Sequence, residues 1–308
     1  HFVLGVDGGG TKTLARFFQT HSDGTLEALG EGTATGSNPY SVGWPAAQQA
    51  IVDASQAACG GFEDQPDAIV LAVAGCASEA ARKQLAEWAT GAQVARQVWV
   101  VPDTEPLLAE APLDQPVIGL IAGTGSAAIA RSAAGVTTIG GWGYLIDDAG
   151  SGYAIGRDAL KRLVQLADAG AAADAMSAAL LRQAGVAQPA ELKALVYGDD
   201  DPRAWISRLA PQVIALAEAG DALAAQILQA NAEALCRLTK NAATRVAATG
   251  SDRPNVLFAG GLLRGSSQYR SLVVEALIEA GWASESLAYA PDAATGCARI
   301  AVEKLAPA

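Results

Sequence analysis

Asp7 closes a short apolar run, Phe2–Val6, and is followed directly by Gly8, Gly9, Gly10, Thr11, Lys12 and Thr13. Successive glycines let a backbone approach a ligand closely with its N–H groups turned outward, which suits phosphate oxygens. Thr11 and Thr13 add hydroxyls, and Lys12 adds a cation. Asp7, at the strand end, is a candidate for Mg²⁺, a hard ion that takes carboxylate and water ligands. A second tract, Gly123, Thr124, Gly125 and Ser126, follows another apolar run, Val117–Ala122. Two such hairpins, one per domain, would clamp a polyphosphate from both sides. A flexible glycine turn explains either tract alone; their recurrence at equivalent places argues for phosphate chemistry.

Other routes to chemistry are closed by what the chain lacks. The patterns G-x-x-x-x-G-K-[ST], G-x-G-x-x-G and G-x-S-x-G are all absent, which removes the P-loop, the dinucleotide fingerprint and the nucleophile elbow. The two histidines, His1 and His21, stand at the N-terminal end, so a Ser-His-Asp triad or a multi-histidine metal site has no material. Proton transfer therefore falls to carboxylates. The four cysteines, Cys59, Cys76, Cys236 and Cys297, form no C-x-x-C pair and read as buried small hydrophobes in a reducing compartment. A formal charge of −11 argues against nucleic acid and anionic membrane as partners. Asp199, Asp200 and Asp201, followed by Pro202, read as a solvated loop and helix cap. No basic segment precedes an apolar one at the start, so no signal peptide is expected. His1 where a methionine would stand suggests a trimmed terminus, and the cytoplasm is the expected location.

The elements that must position these residues follow from periodicity and turn chemistry. At 308 residues, with 51% hydrophobic and 17% charged, the chain has material for two cores. Phe2–Asp7, Leu14–Thr20 and Leu26–Gly32 read as three strands joined by tight turns, the second turn at Asp23-Gly24. Helical spacing follows over Pro45–Ala58 and Ser78–Thr90, with Ser78 as cap, and strands over Ala68–Ala74 and Val98–Val101. A similar order restarts with Val117–Ala122, Ala127–Arg131 and Val136–Ile139. An alanine-rich helical stretch then runs from about Tyr153 to Ala247. A strand at Asn255–Ala259, a helix near Tyr269–Ala280, a strand near Leu287–Tyr289 and a last helix from about Thr295 complete the set. The fold class is α/β, with two copies of one strand order. The expected domains are 1–112, joined by the C-terminal helix 295–308, and 113–294 with a helical insertion at about 155–250. Alanine-rich helices such as Asp221–Ala247 offer a face for a homodimer, although an ordinary core face explains them equally.

Taken together, Asp7–Thr13, Gly36-Ser37-Asn38-Pro39, Pro102-Asp103, Gly123–Ser126, Gly140-Gly141-Trp142-Gly143, Asp148–Gly152 and Ala259-Gly260-Gly261 resemble one family. The chain is similar to the N-acetylglucosamine kinase group of the BadF/BcrA-type ATPases, within the sugar kinase, heat-shock protein and actin superfamily. The resemblance implies a duplicated ribonuclease-H-like fold of the actin and hexokinase type, with ATP and Mg²⁺ as cosubstrate and metal. It implies phosphorylation of the 6-hydroxyl of N-acetylglucosamine or glucosamine. Residue by residue, Asp7 matches the metal position, Gly8–Thr13 the first phosphate loop and Gly123–Ser126 the second. Gly260 and Gly261 match the glycines beside the adenosine. Asp103 matches the carboxylate that takes the proton from the sugar, and read from local sequence alone it is also a helix cap. Asn38, Gly141, Asp148 and Gly152 match sugar-contacting positions. The chain departs from the family's Gly-Asp-Glu-Gly-Ser by reading Asp147-Asp148-Ala149-Gly150-Ser151, so either Asp147 or Asp148 is the ligand. Trp142 and Tyr144 read equally as sugar-stacking or core aromatics. Two other functions remain: an ATPase that drives a partner reductase, and a module that senses sugar or nucleotide without turnover.

Overall fold

The computed structural model describes residues 1–21, 23–62, 64–109, 111, 115–246 and 253–306. The chain forms two compact units, His1–Leu113 with Ala290–Ala308, and Asp114–Tyr289. The boundary expected at 112–113 and the expected end of the helical insertion near 250 lie outside the described residues.

The first unit opens with the meander β1 (Phe2–Gly8), β2 (Lys12–Thr20) and β3 (Leu26–Thr35). The four-residue helix α1 (Pro39–Val42) and the longer α2 (Trp44–Cys59) follow, then β4 (Ala68–Val73), α3 (Glu79–Gly91) and β5 (Gln97–Val101). The sheet order is β3-β2-β1-β4-β5, antiparallel across the meander and parallel from β1 through β4 to β5. Parallel strands need helical crossovers, which α2 and α3 supply. Strand β4 is buried along its whole length, as a central strand covered on both faces must be. Leu4, Val6, Phe17, Ile51, Ile69 and Leu71 fill one side of the sheet.

The other side is covered by the end of the chain. Helix α12 (Ala293–Leu305) lays Cys297, Ala298 and Ala301 on Val3, Phe18 and Val70. The fit is close enough that a Cβ on Gly5 would overlap the Ala294 carbonyl oxygen and stand 2.7 Å from the Ala298 nitrogen. Arg16 on β2 fixes the start of α12 by pairing with its cap residue Asp292 at 3.3 Å, and with Glu31 at 2.9 Å.

The second unit repeats the plan. Strands β6 (Val117–Ala122), β7 (Ser126–Ser132) and β8 (Gly135–Gly140) make a second antiparallel meander. Six helices come next: α4 (Gly152–Asp168), α5 (Ala175–Ala184), α6 (Pro189–Gly198), α7 (Pro202–Ser207), α8 (Ala210–Glu218) and α9 (Ala222–Val246). Strand β9 (Asn255–Ala259), helices α10 (Gly261–Gly265) and α11 (Ser267–Glu279) and strand β10 (Leu287–Tyr289) close the unit. The order β10-β9-β6-β7-β8, with β6, β9 and β10 parallel, matches the first sheet strand for strand. The molecule therefore has the duplicated ribonuclease-H-like fold of the actin and hexokinase type. Ile118, Leu120, Ile155, Leu228, Leu235 and Phe258 belong to the second core. No single helix among the described residues is long and apolar enough to cross a membrane.

Candidate active site

Parallel strands of an α/β sheet point their C-terminal ends to one edge, where loops are free to carry ligands. In the first unit that edge holds Asp7 near the end of β1, Ala74 and Gly75 after β4, and Asp103 after β5. Burial pushes the Asp7 carboxyl above the ordinary carboxylate range, and the nearby Asp103 and Asp292 carboxylates push it further. Burial raises Asp103 as well, against the opposing effect of hydrogen bonds from its own N–H and that of Thr104. The cap of the short 3-10 segment that follows, Glu105–Leu108, is Thr104, and no side chain makes a cap hydrogen bond there, so Asp103 does not cap it.

The first glycine hairpin divides into tip and base. Gly10, Thr11 and Lys12 are exposed at the tip. Gly9 donates its N–H to the Lys12 carbonyl at 2.9 Å and accepts from Ser37 and Asn38. Gly8 and Thr13 are buried; Thr13 Oγ1 donates to the Thr35 carbonyl at 2.6 Å and meets Ser37 Oγ at 2.9 Å. Those two residues brace the loop from beneath. Asn38 caps α1 by accepting the Tyr40 N–H at 3.0 Å, and its amide nitrogen makes no hydrogen bond among the described residues.

In the second unit the corresponding edge carries Gly123–Ser126 after β6 and Gly260-Gly261 after β9. These strands are paired neighbours, with Ile121 opposite Ala259. The loops touch: a Cβ on Gly123 would lie 3.7 Å from the Gly261 nitrogen. Gly260 has φ of 90°, and a Cβ there would overlap the Ala122 carbonyl oxygen, so only glycine passes the chain between these strands. Beside them lies a cavity of about 360 Å³, lined by Pro211, Ile214 and Ala215 of α8 and by Gly261, Leu262 and Ser266.

The segment 147–153 folds beneath the Gly123–Ser126 loop. Gly152 N–H donates to the Gly123 carbonyl at 2.8 Å and Tyr153 N–H to that of Thr124 at 3.2 Å. Ser126 donates its N–H to Asp148 Oδ1 at 3.2 Å and its hydroxyl to the Ala149 carbonyl at 2.8 Å. Asp148 is 4% exposed, and Gly152 is buried as the first residue of α4. Both residues expected against a sugar are therefore taken up in packing the loop, and so are both donors of Ser126. Asp147 is the exposed carboxylate of the pair and accepts the Ala149 N–H at 3.0 Å. Gly141 is exposed in the turn after β8. Trp142 is 69% exposed and so is no core residue, while Tyr144 stacks edge-on against Tyr153 at 5.2 Å. Sequence reasoning missed Arg203 of α7, whose Nη2 lies 3.2 Å from Asp148 Oδ2; nothing in local spacing links it to a carboxylate 55 residues earlier.

One family pattern runs across residues 4–301. This chain belongs to the BadF/BadG/BcrA/BcrD ATPase family. This member of the family is 24% identical to the N-acetyl-D-glucosamine kinase of Dictyostelium discoideum, with 97% of each chain covered. It is 28% identical to an N-acetylmuramic acid/N-acetylglucosamine kinase of Clostridium acetobutylicum, over 54% of this chain and 55% of that one. Among solved structures it is similar to a proposed N-acetylglucosamine kinase from Chromobacterium violaceum, with a TM-score of 0.69, 25% identity and 98% of each chain covered.

Proposed function

We propose that the chain is an ATP-dependent amino-sugar kinase that phosphorylates the 6-hydroxyl of N-acetylglucosamine or glucosamine. The observation that carries this reading is the placement of Asp103. Its half-buried carboxyl, raised above the ordinary range, stands on the same sheet edge as Asp7 and the first glycine loop. Family membership and the names of the relatives support the same chemistry.

Phosphoryl transfer asks the protein for positioning and charge neutralisation more than for covalent chemistry. Asp103 accepts the hydroxyl proton as the sugar oxygen bonds to the γ-phosphorus and the bridging oxygen leaves with ADP. The exposed tip Gly10–Lys12 offers backbone donors and a cation to phosphate oxygens, and the second turn, exposed at Thr124, offers backbone donors of its own. Gly260, Gly261 and the adjoining cavity suit the adenosine. Asn38 has an amide donor to offer a sugar hydroxyl, and Gly141 leaves room for one.

A magnesium ion fits the residues around Asp7. Its side chain makes no hydrogen bond among the described residues and sits in the field of two further carboxylates, which a divalent cation would relieve. Among the described residues no three His, Cys, Asp or Glu side chains gather as a metal cage, so Asp7 would share its ion with water and phosphate, as Mg²⁺ commonly requires. When bound, the ion would neutralise charge on the phosphates.

The test is ADP formation over a panel of hexoses and amino sugars. Release that depends on N-acetylglucosamine or glucosamine supports the reading; release that no sugar stimulates rejects it.

A further inference from the structure

The helices between β8 and β9 deliver a cation to the second glycine loop that the chemistry above does not use. Arg203 lies in the first turn of α7, whose start is fixed by Asp201, which accepts the Ala204 N–H at 2.9 Å, and by Pro202. Helix α7 packs against α4 where α4 presents two glycines. A Cβ on Gly156 would overlap the Ile206 carbonyl oxygen, and one on Gly152 would stand 2.7 Å from Ser207 Oγ. That approach brings the Arg203 guanidinium onto the loop, where it pairs with Asp148 and lies 5.9 Å from the centre of the Tyr144 ring. A Cβ on Gly125 would overlap Arg203 Nη2 and stand 2.9 and 3.0 Å from the two Asp148 oxygens, so the loop is shaped around this ion pair. The Nε of Arg203 is buried and makes no hydrogen bond among the described residues.

Asp148 holds the Ser126 N–H with its other oxygen. A buried carboxylate at that place would repel phosphate at Gly123–Gly125 and compete for the same donors unless a cation offsets it. We propose that Arg203 is a positioning residue for nucleotide binding, which neutralises and orients Asp148 so that the Gly123–Ser126 loop accepts phosphate. The inference rests on the phosphate reading of that loop. It extends it by assigning a role to a residue of the helical insertion.

The test is calorimetric titration of a non-hydrolysable ATP analogue into the wild type, Arg203→Gln, Asp148→Asn and the double variant, without sugar. Arg203→Gln weakens binding about tenfold, the effect of one lost charged interaction. Asp148→Asn, whose amide oxygen still accepts from Ser126, binds within about twofold of the wild type. On that background Arg203→Gln changes affinity by less than about twofold, because there is no charge left to offset. An equal loss on both backgrounds, or no loss on either, overturns the proposal. Should Arg203→Gln alone fail to fold, Asp148→Asn against the double variant decides: equal affinity supports it and a tenfold drop refutes it. A wild type that binds no nucleotide overturns the loop reading itself, and this inference with it.

Discussion

The carboxyls of Asp7 and Asp103 stand at the same edge of one sheet, on strand β1 and just after β5, with β4 between them. Burial raises both, and Asp103 adds to the rise at Asp7. Two carboxyls so placed have different tasks open to them. One without hydrogen-bond partners and facing two like charges is suited to a cation. The other, whose ionised form is favoured by the nearby N–H groups of Asp103 and Thr104, is suited to take a proton and give it up again.

Asp103→Asn keeps size and shape and removes the base. Turnover falls by about 10²–10⁴, the usual worth of general-base assistance, while the melting temperature is held or raised. In the wild type the base acts only when ionised, so activity is lost as pH falls through its raised value. The acid limb of kcat therefore lies above the ordinary aspartate value of about 3.9. Steady-state kinetics across pH check this, and near-normal turnover in the variant removes Asp103 from the role.

Asp7 has a folded-state value above its unfolded one. Its contribution to stability is therefore fully present below the unfolded carboxylate range and is lost as pH rises through the folded value. At neutral pH without magnesium, Asp7→Asn melts at or above the wild type. Magnesium with nucleotide raises the melting temperature of the wild type and has little effect on the variant. Thermal melts with and without the ion check both statements, and a variant that melts well below the wild type contradicts the first.

The close contact of α12 on β1 predicts an overpacking penalty. Gly5→Ala drives a methyl group into the backbone at Ala294 and Ala298, at a cost of about 1–3 kcal/mol in denaturant unfolding. Wild-type stability in that variant would mean α12 is loosely held.

Much of this was legible in the amino-acid sequence. Turn chemistry at Gly8–Gly10 and Gly123–Gly125, with apolar runs on either side, marked both meanders, and their recurrence marked the duplication. Ser78 and Asp201 cap helices where their side chains allow it. The roles inside each loop were not legible, because burial decides them. Thr13 and Ser126 carry hydroxyls suited to phosphate, yet both turn inward to brace the loops. Helix α12 was expected to join the first domain, but how closely it covers the sheet is seen only in the backbone packing at Gly5. Arg203 lies in an alanine-rich stretch without motifs, where a cation's partner is set by helix packing that no spacing rule predicts.

The proposed activity meets its most direct test in the product. The protein, ATP, magnesium and N-acetylglucosamine or glucosamine are incubated together, and the sugar is read by phosphorus–proton correlation NMR. The account predicts a phosphomonoester coupled to the two C6 protons, formed in step with ADP and lost in Asp103→Asn. Phosphate on another carbon, or ADP formed while the sugar stays unmodified, would contradict it.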